Sequence, residues 1–143
     1  MGWYAKVRNK IASGAIDITT ADIRVLILKT GYTQLAAHEF VADIVASELY
    51  PDGTNGYIRS ITIANRALAD NDGQNRSEFT HDPTAHGSPV AGVDAAAAVL
   101  FIHTGSDATA ELLVYDPDTA PRSTNGQPLT YNPPAAGHFI ENP

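Results

Sequence analysis

The chain has 143 residues, 43% of them hydrophobic, and no cysteine. That is enough for one domain with its own core, and it excludes disulfide scaffolds, thiolate zinc sites and cysteine nucleophiles. The net charge of −7 is unevenly placed: residues 1–14 carry Lys6, Arg8 and Lys10 and no acid, leaving six basic residues against sixteen acidic ones in the rest. An acidic body argues against a broad nucleic-acid surface, which needs cations to displace counterions.

Residues 3–13 are predicted to form a helix. Trp3, Val7 and Ile11 fall at i, i+4 and i+8 with Tyr4 alongside, and Lys6, Arg8, Asn9 and Lys10 cover the other faces. Cations in the last turns suit the helix dipole, and Gly14 is placed to end the helix in a left-handed cap. This basic opening leads into an amphipathic segment, with no apolar h-region and cleavage site, so no secretory signal is expected. Nor does any apolar run approach the ~20 residues of a membrane span.

Residues 23–28 form a β-branched, apolar run with Arg24 as its one charge, a strand buried on most of both faces. Over 35–49, the residues Leu35, Phe40, Val41, Ile44, Val45 and Leu49 roughly follow a helical stripe, which predicts a second short helix; a strand across 39–45 is the alternative. Residues 50–56 are a loop with an Asn55-Gly56 turn. Residues 60–68 then alternate as a strand, 70–73 turn, and 76–80 pair back as a hairpin. Residues 81–89 read as loop, punctuated by Pro83, Gly87 and Pro89. The run 95–103 has alanines that favour helix, but Val99-Leu100-Phe101-Ile102 favours strand. With 111–115 it makes a second hairpin.

Beyond Asp116 the chain is interrupted by Pro117, Pro121, Pro128, Pro133, Pro134 and Pro143. Proline is tolerated at sheet edges and in loops, so 117–143 is expected to be an extended arm, with 127–132 and 138–141 as edge strands. The whole predicts one mainly β domain. It is antiparallel and β-sandwich-like, with an N-terminal helix and a body over 1–116.

Motifs for chemistry are missing. The histidines, His38, His81, His86, His103 and His138, show no HExxH pair or other ligand spacing. His81-Asp82 with His86 is the densest cluster, and in a Pro/Gly-rich loop these side chains are expected to be solvated. Asp70, Asp72 and Glu78 around Gly73 miss the calcium-loop spacing and read as turn carboxylates. No nucleophile elbow, Walker loop or dinucleotide fingerprint is present. No catalytic residue, cofactor or metal is expected.

The opening helix with its Gly14 stop, Ile16-Asp17, the 23–28 strand, Tyr32-Thr33, His38-Glu39-Phe40, Asp43, Glu48 and Gly56-Tyr57 come in a distinctive order. That order, with the later 97–103 and 112–115 hairpin, resembles a family of small structural proteins of tailed-bacteriophage virions, encoded near the major capsid protein. The resemblance implies a capsid decoration or cement protein that binds the major capsid protein or other virion subunits. It would be homo-oligomeric on the particle and assembled in bacterial cytoplasm, with no membrane and no direct nucleic-acid partner. The interface would use Trp3, Tyr4, Lys6, Val7, Arg8 and Lys10, together with arm residues such as Pro121, Pro133 and Pro134. A tail or head–tail ring subunit is one alternative. A carbohydrate-binding β module stacking sugars on Trp3, Tyr57, Tyr115 or Tyr131 is another.

Overall fold

The computed structural model describes residues 2–90 and 92–141. Residues 142 and 143, the end of the expected arm, lie outside that range. The architecture is mainly β and antiparallel, with one N-terminal α-helix. Strand β1 (Gly2–Trp3) and helix α1 (Ala5–Ala12) are followed by β2 (Ile23–Lys29), β3 (Ile61–Thr62), β4 (Ala67–Asn71), β5 (Arg76–Thr80), β6 (Thr84–Ala85), β7 (Asp94–Ile102), β8 (Leu112–Ser123), β9 (Thr130–Tyr131) and β10 (His138–Glu141). They form a five-stranded sheet in the order β1-β8-β7-β2-β3, a three-stranded sheet β10-β5-β4, and a pair β6-β9. Among the described residues no helix is long and apolar enough to cross a membrane.

The centre of the large sheet is the pair β2 and β7. Val25 opposes Leu100 and Leu26 opposes Val99, and Ile23, Val25, Leu26, Leu28, Val99 and Leu100 are all fully buried. Side chains are buried on both faces of this pair, as the uninterrupted apolar run predicts. The alanines at the start of β7 enter the sheet because β2 pairs on one side and β8 on the other. Pairing on both edges outweighs their helix propensity, which is worth only tenths of a kcal/mol per residue. The free edge of β2 beyond β3 is closed by other means: the Tyr57 hydroxyl accepts from the Ile27 N–H at 2.9 Å, and the Leu49 N–H donates to the Ile27 carbonyl.

Four expectations are corrected. Helix α1 begins at Ala5, because Trp3 extends the sheet instead, opposite Val114. Its C-terminal end is as predicted, with Gly14 at φ 74°. No second α-helix forms over 35–49. Two single 3-10 turns, Val41–Asp43 and Val45–Ser47, occupy that stretch, flanked by isolated bridges from Phe40 to Glu111 and from Glu48 to Leu28. Their carbonyls and amides are drawn sideways into bonds with the sheet and loops, such as Val41 N–H to Ala110, so a continuous helical ladder cannot close.

The alternating run 60–68 is split. Asn65 takes a left-handed conformation at φ 49°, so β3 stays with β2 while β4 leaves to join the second sheet. Asparagine tolerates this conformation better than most side chains. Finally, β8 runs through the boundary expected at 116/117. Pro117 opposes Ala97 and Arg122 opposes Ala95, so the four residues 118–121 of β8 stand against Ala96 alone, a bulge of three extra residues. A bulge is where a strand can hold a proline without losing a ladder bond.

One apolar cluster runs from Trp3 to Tyr131. Residues of the expected arm belong to it: Leu129 and Tyr131 are buried, and His138 is fully enclosed. The edge strands 127–132 and 138–141 do form at their cores, as β9 on β6 and β10 on β5. The arm is therefore stitched into both smaller sheets.

Candidate functional site

The N-terminal segment does not present its apolar stripe to solvent. Trp3, Tyr4 and Val7 are buried in the chain's own core. Trp3 packs edge-on against Phe79, with ring centroids 6.4 Å apart, and its indole N–H is buried without a partner among the described residues. The Tyr4 hydroxyl meets Tyr32 at 2.8 Å, which in turn meets His38 Nδ1 at 2.8 Å. Burial pushes the Tyr4 phenol well above its ordinary range. These three apolar candidates are thus used internally, because β1 draws them into the sheet.

The basic flank of α1 stays outside. Lys6 bonds Glu39 at 2.8 Å, and Lys10 spans Glu39 and Glu111 at 3.1 and 3.0 Å. The two lysines hold the Glu39 carboxyl below its usual range. Their effect is to clamp segment 34–43 on the helix, aided by Asp43, whose Oδ2 accepts from the Glu39 and Phe40 amides. Arg8 is exposed and has no ion-pair partner among the described residues. Leu35 and Val45, both about half exposed, stand on or beside that clamped segment. Pro121 is exposed on the β8 bulge, while Pro133 and Pro134 are half-buried.

Two polar clusters lie inside. In the first, burial pushes the Glu48 carboxyl up to about 7 while Arg59 pulls it the other way. Arg59 Nε donates to Glu48 Oε1 at 2.7 Å and its other end reaches Asp107 at 3.0 Å. Tyr57 donates to Glu48 at 3.4 Å. This network ties the 48–59 loop to the 103–110 turn beside a cleft of about 250 Å³.

In the second cluster, the stacked rings of His81 and His138 bring their Nε2 atoms to 3.3 Å. His81 Nδ1 donates to the Asp82 carbonyl at 2.7 Å, so its Nε2 carries the lone pair and His138 Nε2–H must be the donor between them. Tyr131 donates to Asp116 Oδ2 at 2.6 Å, and its oxygen lies 3.4 Å from His138 Nε2. His138 Nδ1 is left buried without a partner among the described residues. Burial lowers the His138 pKa to about 3, with His81 adding to the effect, and lowers that of His81 as well. Both rings are neutral near pH 7. Asp116 and Tyr131 also line a cleft of about 340 Å³, shaped by Ala95, Ala97 and Ala98 opposite Pro117 and Pro134.

His81, His86 and His138 are all buried, where 81 and 86 were expected to be solvated. His86 Nδ1 donates to the Ile58 carbonyl at 2.9 Å and its Nε2 accepts from Thr84. The signal that could have revealed this is the spacing of Thr84 and Tyr131 as strand partners, visible only once β6 and β9 are paired. Asp70 accepts from Ser77, and Glu78 from Asn71 and Arg76, so these two carboxylates serve the hairpin's own bonds while Asp72 stays exposed. Among the described residues no group of three or more His, Asp or Glu is arranged to hold a metal ion. The stacking platform of the sugar-binding alternative is also dispersed: Trp3, Tyr57 and Tyr131 are buried, leaving Tyr115 half-buried.

What is left at the surface is an edge. Strand β4 closes the three-stranded sheet on one side and has no neighbour beyond it among the described residues. Ala67, Leu68, Ala69 and Asp70 are all exposed, with Leu68 at 43%. The inner face of this sheet is held by Phe79, buried opposite Leu68 and His138. The outer face carries Arg76 stacked 3.4 Å over the Phe139 ring. Sequence reasoning placed this hairpin but did not single out its edge.

Compared with protein-family models, with curated proteins and with solved structures, the chain matches none.

Proposed function

We propose that this chain is a virion structural protein of a tailed bacteriophage, a decoration subunit that binds the lattice of the major capsid protein. The observation that carries the reading is the open β4 edge, an exposed strand with three consecutive apolar residues. Natural monomers cover, shorten or charge such edges, because an open edge invites another chain to pair. Supporting it, Arg8 is an exposed cation with no ion-pair partner among the described residues, and Leu35 and Val45 are exposed large apolar side chains. Arginine is enriched at protein interfaces and among their anchors. Lattice contact is assigned to this α1 flank, with Lys6, Arg8 and Lys10, and contact between neighbouring copies to the β4 edge.

The test is co-sedimentation with capsids assembled without the protein. Saturable pelleting is expected, weakened by Arg8→Glu and by raised salt. Failure of the native chain to pellet at saturating concentration refutes the reading.

A further inference from the structure

We infer that the partner of the β4 edge is the β4 strand of a second copy of this chain, docked antiparallel about a two-fold axis through Ala69. The inference rests on the assembly reading above and names the occupant of its edge. The argument comes from register. An antiparallel pairing of Ala67–Asn71 with itself, centred on Ala69, sets Ala67 opposite Asn71 and Leu68 opposite Asp70. One step further out it sets Arg66 opposite Asp72, and does so twice by symmetry. Arg66 is therefore placed against the acidic turn of the partner, with Asp70 on the diagonal. Asp72 is exposed and has no side-chain bond among the described residues. Arg66 donates to the Ala21 carbonyl, so its side chain is already held at the strand's start.

The contact joins the two three-stranded sheets into one six-stranded sheet. At the axis it places two small side chains, Ala69 and Ala69 of the partner subunit, which allow close approach. Moving the register by two residues one way sets Arg66 opposite Gln74; the other way sets it opposite Asp70, which Ser77 already engages, and leaves Asp72 opposite Ala64. Five residues a side make a small interface compared with the roughly 1,200–2,000 Å² of a stable complex. The pairing is accordingly weak between free molecules and becomes firm where copies are held side by side on a lattice.

The native chain is examined by sedimentation equilibrium from about 10 μM to about 1 mM, and a reversible monomer–dimer equilibrium is expected, weakened by salt. Because the chain has no cysteine, a single Ala69→Cys substitution places two thiols across the axis. Cα atoms there lie about 4.5–5.5 Å apart, within disulfide range. Oxidation should give a covalent dimer at Ala69→Cys and far less at Gln74→Cys on the hairpin tip. Arg66→Asp and Asp72→Arg should each weaken dimerisation about tenfold, and the two together should restore it. Circular dichroism melts confirm that each variant is folded. Leu68→Lys, at an exposed position, gives an independent disruption of the edge.

A monomer at every concentration, equal crosslinking at positions 69 and 74, or no rescue by the charge swap overturns the pairing. None of those results touches capsid co-sedimentation, so the assembly reading stands or falls separately.

Discussion

Replacing His138 with phenylalanine should flatten the protein's acid sensitivity by a definite amount. His138 is fully enclosed, with Nε2 shared between His81 and Tyr131 and Nδ1 unpartnered among the described residues. Its imidazole has a pKa of about 6.5 in the unfolded chain and about 3 in the fold. A depressed histidine pKa means the unfolded chain binds the extra proton first. The stabilising contribution is complete above pH 6.5 and is lost as pH falls from there toward 3. Between about pH 7.5 and pH 5 the loss from this one ring is about 2 kcal/mol. For a chain of this size that is a fall of roughly 6–8 °C in melting temperature.

Other groups titrate in the same window. Burial depresses His86 to about 4 and lowers His81, adding losses. Glu48, raised to about 7, gains stability as pH falls and acts in the opposite sense. Asp116, Asp82 and the Tyr131 hydroxyl also face the cluster. All of these remain in His138→Phe, so the quantity to compare is the difference between the two proteins. Urea unfolding at both pH values gives it directly. The wild type should lose about 2 kcal/mol more than the variant over the interval. Parallel stability curves for the two proteins would refute the claim that this imidazole is buried and neutral.

Further outcomes follow from packing and backbone geometry. Leu26→Ala, at a fully buried position of β2, should cost about 2–5 kcal/mol in chemical denaturation. Gly87 has φ 78°, and a Cβ there would come within 2.2 Å of the Gly56 carbonyl oxygen, so Gly87→Ala should cost more than about 1 kcal/mol and lower the melting temperature measurably. Tyr57→Phe removes the hydroxyl bonded to the Ile27 amide; the orphaned donor should cost about 1–3 kcal/mol. Truncation after Asp116 removes Leu129, Tyr131 and His138 from the core, and calorimetry should show no cooperative transition for the shortened chain.

The strand pattern was largely legible because it rests on local chemistry. The run 23–28, the hairpin over 70–80 and the second hairpin are set by β-branched apolar residues and turn residues that act over a few positions. Gly14 likewise announced the helix end. What could not be read depended on distant partners. Trp3 fits a helical stripe perfectly well, and only the presence of β8 as a docking edge converts it to a strand residue. Asn65 looks like one more polar position in an alternating run until its left-handed conformation divides that run between two sheets. The burial of His81 and His138 is a property of two segments 57 residues apart in sequence, and nothing adjacent to either histidine signals the other. Pro117 and Pro121 suggest an extended arm because proline rarely enters a ladder, and the bulge that follows Pro117 and carries Pro121 leaves no compositional trace.

The pairing of β1 with β8 has a consequence for biosynthesis. Residues 2 and 3 leave the ribosome long before their partners at 114 and 115. Until β8 is made, Trp3, Tyr4 and Val7 lack that strand to pack on. Contacts that span the length of a chain form late and slowly, and apolar surface waiting for them is what chaperones bind and aggregates recruit. High-level synthesis should therefore tax the quality-control machinery of the producing cell more than the modest length of the polypeptide suggests.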